Sequence, residues 1–489
     1  MKNKTIRSLL AIAMACSLGL SAAACMKNSN ADTETTGTSL ITNIRLTEEM
    51  KNSAGGEHVI TADGVTSEYS NVSVTKSGDS SKNDEADFYG DNAAVFATNG
   101  ATLTLKEMAI TTNGTHANAV FSYGKGTTVN VSNTVIETTG NCSGGIMTTG
   151  GGTMNATDLT VHTTGNSSAA IRSDRGGGTV TVTGGTYTTD GTGSPAIYST
   201  ADITVNNATL ESTASQGVVV EGKNSVTLNN VTLKADNNTH NSDKSSYYQG
   251  VMIYQSMSGD ADEGTASFNM KDGSFTNANG DVFFVNNTVA TIKLENVSIS
   301  NKDLNGVFLR ACAAGWGTEG SNGGKVNLFL TNQNIYGDII VDKVSGLNMY
   351  MASGSIYEGA VNADNEGSVF VRIEKGSTWT LTGDSYVTSL TCEADSIKLN
   401  GCKLYVNGKE YKEGTASEGE EIVFKTESSS SGKAGTNDGQ PPEMPNGEKP
   451  SGDPPSGDPP SGDRPGLPPD ANGGGDGKAP PAKPEENTN

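Results

Sequence analysis

The sequence predicts an all-β protein wound as a right-handed parallel β-helix, a solenoid of about 11–13 coils. The first observation behind this is a recurring five-residue cluster: a small residue, an aliphatic one, a variable one, a small or aliphatic one and a variable one. It starts at Ala94, Ala119, Gly145, Ala170, Ala196, Gly217, Gly250, Asp281, Gly306, Asp338 and Ala360, with successive starts 25, 26, 25, 26, 21, 33, 31, 25, 32 and 22 residues apart. Self-similarity at such a period marks stacked supersecondary units. The second is the stretches between clusters, such as TLTL, TTVNV, GTVTVTGGTYTT and SVTLNNVTL, which alternate with period two and are rich in β-branched residues. The third is composition. With 61 Gly in 489 residues and 34% hydrophobic residues, the chain is too poor in large apolar side chains for several thick cores, yet it suffices for a thin core renewed on every coil. No long amphipathic helix is expected after the N-terminus, with one short exception around Leu46 to Lys51.

In chain order, residues 1–24 read as an export signal, 25–54 as anchor and linker, 55–412 as the β-helix, and 413–489 as a disordered Pro/Gly-rich acidic tail. Lys2, Lys4 and Arg7 accompany an apolar run from Ile6 to about Leu20, and Ala22-Ala23-Ala24 lead into Cys25. This resembles a bacterial lipoprotein signal, although Ala22 stands where such signals most often carry Leu. The resemblance implies lipidation of Cys25 and an exported chain anchored on the extracytoplasmic face of the cell membrane; a plain secretory signal cut before Cys25 is the alternative. The apolar run falls short of the roughly 20 residues that span a bilayer. In the tail, the SGDPP repeat reads as a spacer.

The formal charge is −22, and removing residues 1–24 takes away three positive charges and no negative ones, leaving −25. A chain this acidic is not expected to bind nucleic acid through phosphates, and it repels polyanionic glycans unless a cation bridges them. Outside the signal four cysteines remain: Cys392 and Cys402 are close enough in sequence to pair across a hairpin, whereas Cys142 and Cys312 are expected to be single thiols.

Side chains alternate faces along a strand, so the second and fourth residues of each cluster point into the solenoid and the third and fifth point out. The third positions are Phe96, Phe121, Met147, Arg172, Tyr198, Val219, Met252, Phe283 and Phe308; the fifth include Tyr123, Asp174, Glu221, Tyr254 and Arg310. A water-facing strand carries Thr, Ser, Lys and Asn, so a stripe of aromatic, Met and charged residues reads either as a binding face or as a face covered by a loop. The 33- and 31-residue coils, through KADNNTHNSDKSSYYQG and SMSGDADEGTASF, have the spare length to cover it.

As a binding face, the stripe suits an extracellular polysaccharide or another cell-surface ligand. Aromatic rings pack on sugar CH groups, while Arg and carboxylates make directional hydrogen bonds. The candidate residues are Phe121, Tyr123, Arg172, Asp174, Arg175, Tyr198, Glu221, Lys223, Tyr254, Gln255, Arg310 and Trp316. Cross-strand ion pairs that merely stitch coils together are the competing reading, and for Trp316 it is packing as a lid.

Catalytic readings are weaker. The four histidines, His58, His116, His162 and His240, show no metal-ligand spacing. Asp174 and Glu221 are candidate carboxylates for glycoside hydrolysis but are expected two coils, about 10 Å, apart. A lyase would draw its base from Arg172, Arg175, Lys223 or Arg310. Calcium, the one cofactor considered, has candidate ligands in Asp84, Asp87 and Asp91 and in Asp260 and Asp262, although neither run matches a known calcium loop.

Over roughly residues 55–410, the NNATL and NNVTL turns and the AIRSDRGGGTVTV, SPAIYST, VVVEGKNSVTL and GVMIYQSMSGDA blocks resemble the right-handed β-helix proteins of the pectate-lyase-like superfold, in particular adhesin-like bacterial surface proteins without assigned activity. That resemblance implies fold more than function, since one solenoid hosts lyases, hydrolases, adhesins and structural rods. Lyases of this fold hold calcium with a set of aspartates beside a basic residue; only Asp174 with Arg172 or Arg175 stands in a comparable relation here. The expectation is a non-catalytic surface protein, with a polysaccharide lyase or glycoside hydrolase, and then a purely structural rod, as alternatives.

Overall fold

The computed structural model describes residues 44–424; the expected export signal, Cys25 and the SGDPP repeats lie outside them. Within this span the chain winds as a right-handed parallel β-helix, each coil placing one strand in each of three stacks. The coil from Val120 is representative: Val120–Tyr123 enters sheet I, Thr128–Ser132 sheet II and Val135–Thr138 sheet III. Sheet I contains eleven strands, from Ile60–Asp63 to Ile339–Val341. Toward the C-terminal end the third stack is continued by a four-stranded sheet from Asn334–Tyr336 to Ile397–Lys398.

The core is the expected one. Ile60, Val95, Val120, Ile146, Ile171, Ile197, Val218 and Val251 lie on one another in register along sheet I, and all are buried. Two sequence devices turn the coil. Between sheets II and III one residue takes a left-handed conformation, as Asn71, Asn133, Asp158, Asn207, Asn230 and Asn296 do, because Asn and Asp tolerate positive φ. Asn230 donates to Asn207 Oδ1 at 2.9 Å, so the bend is itself a ladder. Before sheet I, Gly114, Gly140, Gly165 and Gly191 stack so closely that a Cβ on Gly165 would lie 1.9 Å from the Gly140 carbonyl oxygen, and only glycine fits.

Four differences from the sequence expectations have physical causes. Asp281 pairs with Gln249, so Val251 faces Phe283 and the Asp281 cluster slips by one residue, while Leu309, Arg310 and Ile339 keep their expected faces. Phe283 therefore points inward, edge-on to Phe268, Phe275 and Phe308, and Phe284 takes the outward position. A one-residue slip reverses every face, and burying the larger aromatic cluster selects this register. Leu46–Lys51 contributes to a strand, Glu48–Asn52, which pairs with Val72–Lys76 and extends the solenoid ahead of residue 55. The described helix, α1, is Asn83–Tyr89. At the other end residues 413–424 are not free chain: Ile422 N donates to Asn348 Oδ1 at 3.0 Å, and Tyr350 Oη to Glu421 at 2.8 Å. Finally, Cys392 and Cys402 are unbridged; the Cys392 thiol packs beside the Tyr411 hydroxyl.

Truncating the aromatic cluster should be costly. Phe283→Ala is expected to remove about 3–5 kcal/mol, seen as a lowered urea midpoint, whereas Thr204→Ala on the outward face of sheet II should stay within about 0.5 kcal/mol.

Candidate functional site

The outward column of sheet I runs Phe96, Phe121, Met147, Arg172, Tyr198, Val219, Met252, Phe284 and Arg310. It is covered rather than open: Phe121, Met147, Val219, Met252 and Phe284 are at most 1% exposed. An apolar column in water would cost its full transfer energy, and four segments prevent this. Helix α1 lies over the N-terminal part, where Thr149 Oγ1 donates to the Phe88 carbonyl at 2.6 Å and the Arg175 guanidinium stacks 3.9 Å from the Phe88 ring. Farther along, the loops 237–248, 255–264 and 312–322 cover it. Asn287 holds the Gln255 carbonyl, Asn286 holds those of Cys312 and Asn322, and Gly315 N donates to Lys244 O, joining two loops. The long coils therefore serve as covers, the second of the two expectations for the stripe.

Under α1 the charged residues engage one another. Arg172 Nη2 lies 3.0 Å from Asp174 Oδ2 and Nη1 lies 3.6 Å from Asp87 Oδ1, with all three side chains at most 4% exposed. Burial alone works against the guanidinium charge, but Asp87 and Asp174 more than offset it and hold Arg172 cationic. Asp87 also accepts from or faces His116 Nδ1 at 3.0 Å. Arg175 crosses to Asp260 at 2.8 Å, and Asp260 accepts from Ser258.

The second centre is Glu221. Its Oε2 accepts from Tyr198 Oη at 2.5 Å and Tyr254 Oη at 2.6 Å, and its Oε1 from the Ser256 hydroxyl. Burial pushes the Glu221 carboxyl above its ordinary value, against the pull of the three hydroxyl donors, and burial also drives both tyrosines well above theirs. Trp316 packs edge-on to Tyr254, 5.4 Å between ring centres. Asp174 and Glu221 are thus both buried in one chain of contacts that runs through Arg175, Asp260, Ser258 and Ser256, and neither is presented to solvent as a glycosidase pair requires.

The other expected residues divide. Tyr123 is half-buried, edge-on to Tyr89. Lys223 is exposed and paired with Asp262 at 2.8 Å. Gln255 is buried, its amide nitrogen on the Ala261 carbonyl. Arg310 Nε donates to Asp281 at 2.5 Å, and its guanidinium lies 3.9 Å from the Tyr247 ring. The acidic runs do not converge: Asp84 is exposed on the first turn of α1, Asp87 faces inward, and Asp91 lies beyond its end. Asp260 and Asp262 are drawn to different cations. Among the described residues, the group that brings three potential ligand atoms within 4.8 Å of one another is Asp87, His116 and Cys142.

No family model matches the chain, and no curated protein or solved structure matches it either. What it can do chemically must therefore be read from its own surface.

One cleft opens beside the cover, about 30 Å³ in volume, between the 237–248 loop and the column. Gln216, Asn237, His240, Tyr247, Gln249 and Trp316 contribute to its walls. Two buried polar atoms there have no hydrogen-bond partner among the described residues, the acceptor Gln249 Oε1 and the donor Trp316 Nε1. Tyr247 is 40% exposed on the rim, braced by Arg310, and His240 stacks on Tyr248 at 4.1 Å. Arg310 and Trp316 are among the residues expected from the sequence, and the loop residues are not. Their signal in the sequence was only the extra length of the 33-residue coil.

Glu221 supplies a pH prediction. Because its folded carboxyl titrates above its ordinary 4.5, its contribution to stability is complete below about that pH and fades as pH rises through the raised value. The melting temperature of Glu221→Gln relative to the parent chain should therefore rise as pH increases from about 4.5 toward neutrality; a difference constant with pH would contradict the assignment.

Proposed function

We propose that the protein is a non-catalytic, exported surface protein that binds extracellular polysaccharide at the cleft beneath the 237–248 loop, and not along the length of the stripe. The observation that carries this is a pair of buried atoms without a hydrogen-bond partner among the described residues, the acceptor Gln249 Oε1 and the donor Trp316 Nε1, on two residues that line one small cavity. A buried polar group without a partner costs about 1–3 kcal/mol, and a ligand hydroxyl satisfies both senses of hydrogen bond. The amide-rich wall and the exposed Tyr247 rim are the chemistry of sugar recognition: an aromatic face for ring CH groups beside fixed donors and acceptors.

The cavity volume limits how the glycan sits. About 30 Å³ admits one hydroxyl or hydroxymethyl group, so a sugar ring rests on the Tyr247 rim and inserts a single substituent. A formal charge of −22 favours a neutral glycan over an acidic one. The lipoprotein-like N-terminus and the likeness to adhesin-like surface proteins support a lipid-anchored place outside the membrane, with the Pro-rich tail as a spacer.

Electrophoresis of the purified chain through gels containing neutral polysaccharides tests this. Retardation is expected on at least one glycan, and Tyr247→Ala should weaken it by about tenfold in Kd, the loss of one stacking contact of about 1.4 kcal/mol. Unchanged migration on every glycan would sink the proposal, as would retardation indifferent to Tyr247.

A further inference from the structure

His116 and Cys142 are 26 residues apart in sequence and adjacent in space, because they occupy the same position on successive coils. In the turn before sheet I, the segments GTHANAV, GNCSGGI, GNSSAAI and GTGSPAI stack, aligning His116, Cys142, Ser167 and Gly193. His116 N donates to Asn141 O, Cys142 N to Asn166 O and Ser167 N to Thr192 O, and all four residues have φ between 54° and 63°. Helix α1 lowers Asp87 onto the first two rungs. One ligand atom each from Asp87, His116 and Cys142 then lies within 4.8 Å of the others, and all three residues are buried.

We propose that Asp87, His116 and Cys142 form a binding site for a zinc-like divalent cation that staples α1 to the turn ladder. The donor set of carboxylate, imidazole and thiolate is that of a borderline-soft metal rather than of calcium, which takes oxygen ligands alone. Metal bonds of about 2.0–2.3 Å put ligand atoms roughly 3.3–3.8 Å apart, so the cluster needs only a small contraction at the thiol. Charge supports the same reading. Asp87 and Asp174 carry two negative charges against one on Arg172, and a divalent cation that displaces the Cys142 thiol proton closes the balance inside a buried cluster. A second, independent observation concerns the neighbouring groups. The Ser167 hydroxyl, on the next rung of the ladder, and Arg172 Nη1, 3.6 Å from Asp87, are buried and have no hydrogen-bond partner among the described residues. A three-ligand site leaves a fourth position for a water or an anion, and these are an acceptor-donor and a donor suited to hold it. This inference does not depend on the glycan reading.

The test uses the full chain after chelation and desalting, titrated with Co²⁺. A thiolate-to-cobalt absorption in the near ultraviolet should appear, saturate at about one equivalent and be displaced by Zn²⁺. Cys142→Ser and His116→Ala should each abolish it, while Cys312→Ser, at a buried thiol elsewhere, should leave it intact. Where a variant folds poorly by circular dichroism, the parent chain gives a second reading: Zn²⁺ should slow alkylation of Cys142, mapped by mass spectrometry, and chelator should restore it. No cobalt–thiolate band, or a band that survives both Cys142→Ser and His116→Ala, would overturn the proposal, as would Cys142 alkylation unaffected by zinc.

Discussion

Backbone hydrogen bonding between coils stacks each residue on its counterpart one coil away, at the roughly 4.8 Å spacing of paired strands, and the rest of the structure is arranged around that constraint. Inward, it builds columns of Val and Ile that form a continuous thin core. At the bends it forms ladders of left-handed Asn and of closely approaching Gly. Outward, the same stacking has a cost. Once several coils carry apolar residues at one position, they make a stripe that water does not tolerate, and chain length must be spent covering it. The helix α1 and the loops 237–248, 255–264 and 312–322 are that cover.

Beneath a cover, polar groups lose water and must find one another. Arg172 between Asp87 and Asp174, and Glu221 under three hydroxyls, are two solutions to the same problem. Both tie the covering segments to the sheet: Asp87 belongs to α1, and Ser256 and Asp260 to a loop. Residues that look like binding chemistry in a linear reading are here the fasteners of the lid. The chemistry left facing outward is at the lid's edge, where Tyr247, Gln249 and Trp316 border an incompletely filled gap.

The fold was legible because its signals are local and repeated: an aliphatic residue at Val120, Ile146 and Ile171 recurs at nearly constant spacing, and alternation assigns its face. The register at Phe283 was not, since Asp281-Val282-Phe283-Phe284 fits either alternation and only the aromatic cluster of the core decides between them. Nor was the state of the stripe. Length showed that loops were able to cover it, but which carbonyls Asn286 and Asn287 would bind depends on loop paths that carry no periodic signal. His116 and Cys142 lie between these cases. They have no metal-ligand spacing along the chain, yet aligning the turn segments coil on coil places them on adjacent rungs; Asp87 arrives from a helix that no repeat predicts.

That the outer face of sheet I is sealed is the claim on which the remaining assignments rest, and hydroxyl-radical footprinting of the intact chain measures it directly. Tyr198 and Tyr254 should remain unmodified while Tyr89 and Tyr247, at 48% and 40% exposure, are readily oxidised. Oxidation of Tyr198 and Tyr254 at the rate of Tyr89 would mean that the stripe is open, and would contradict both the lid and the proposed confinement of ligand binding to its edge.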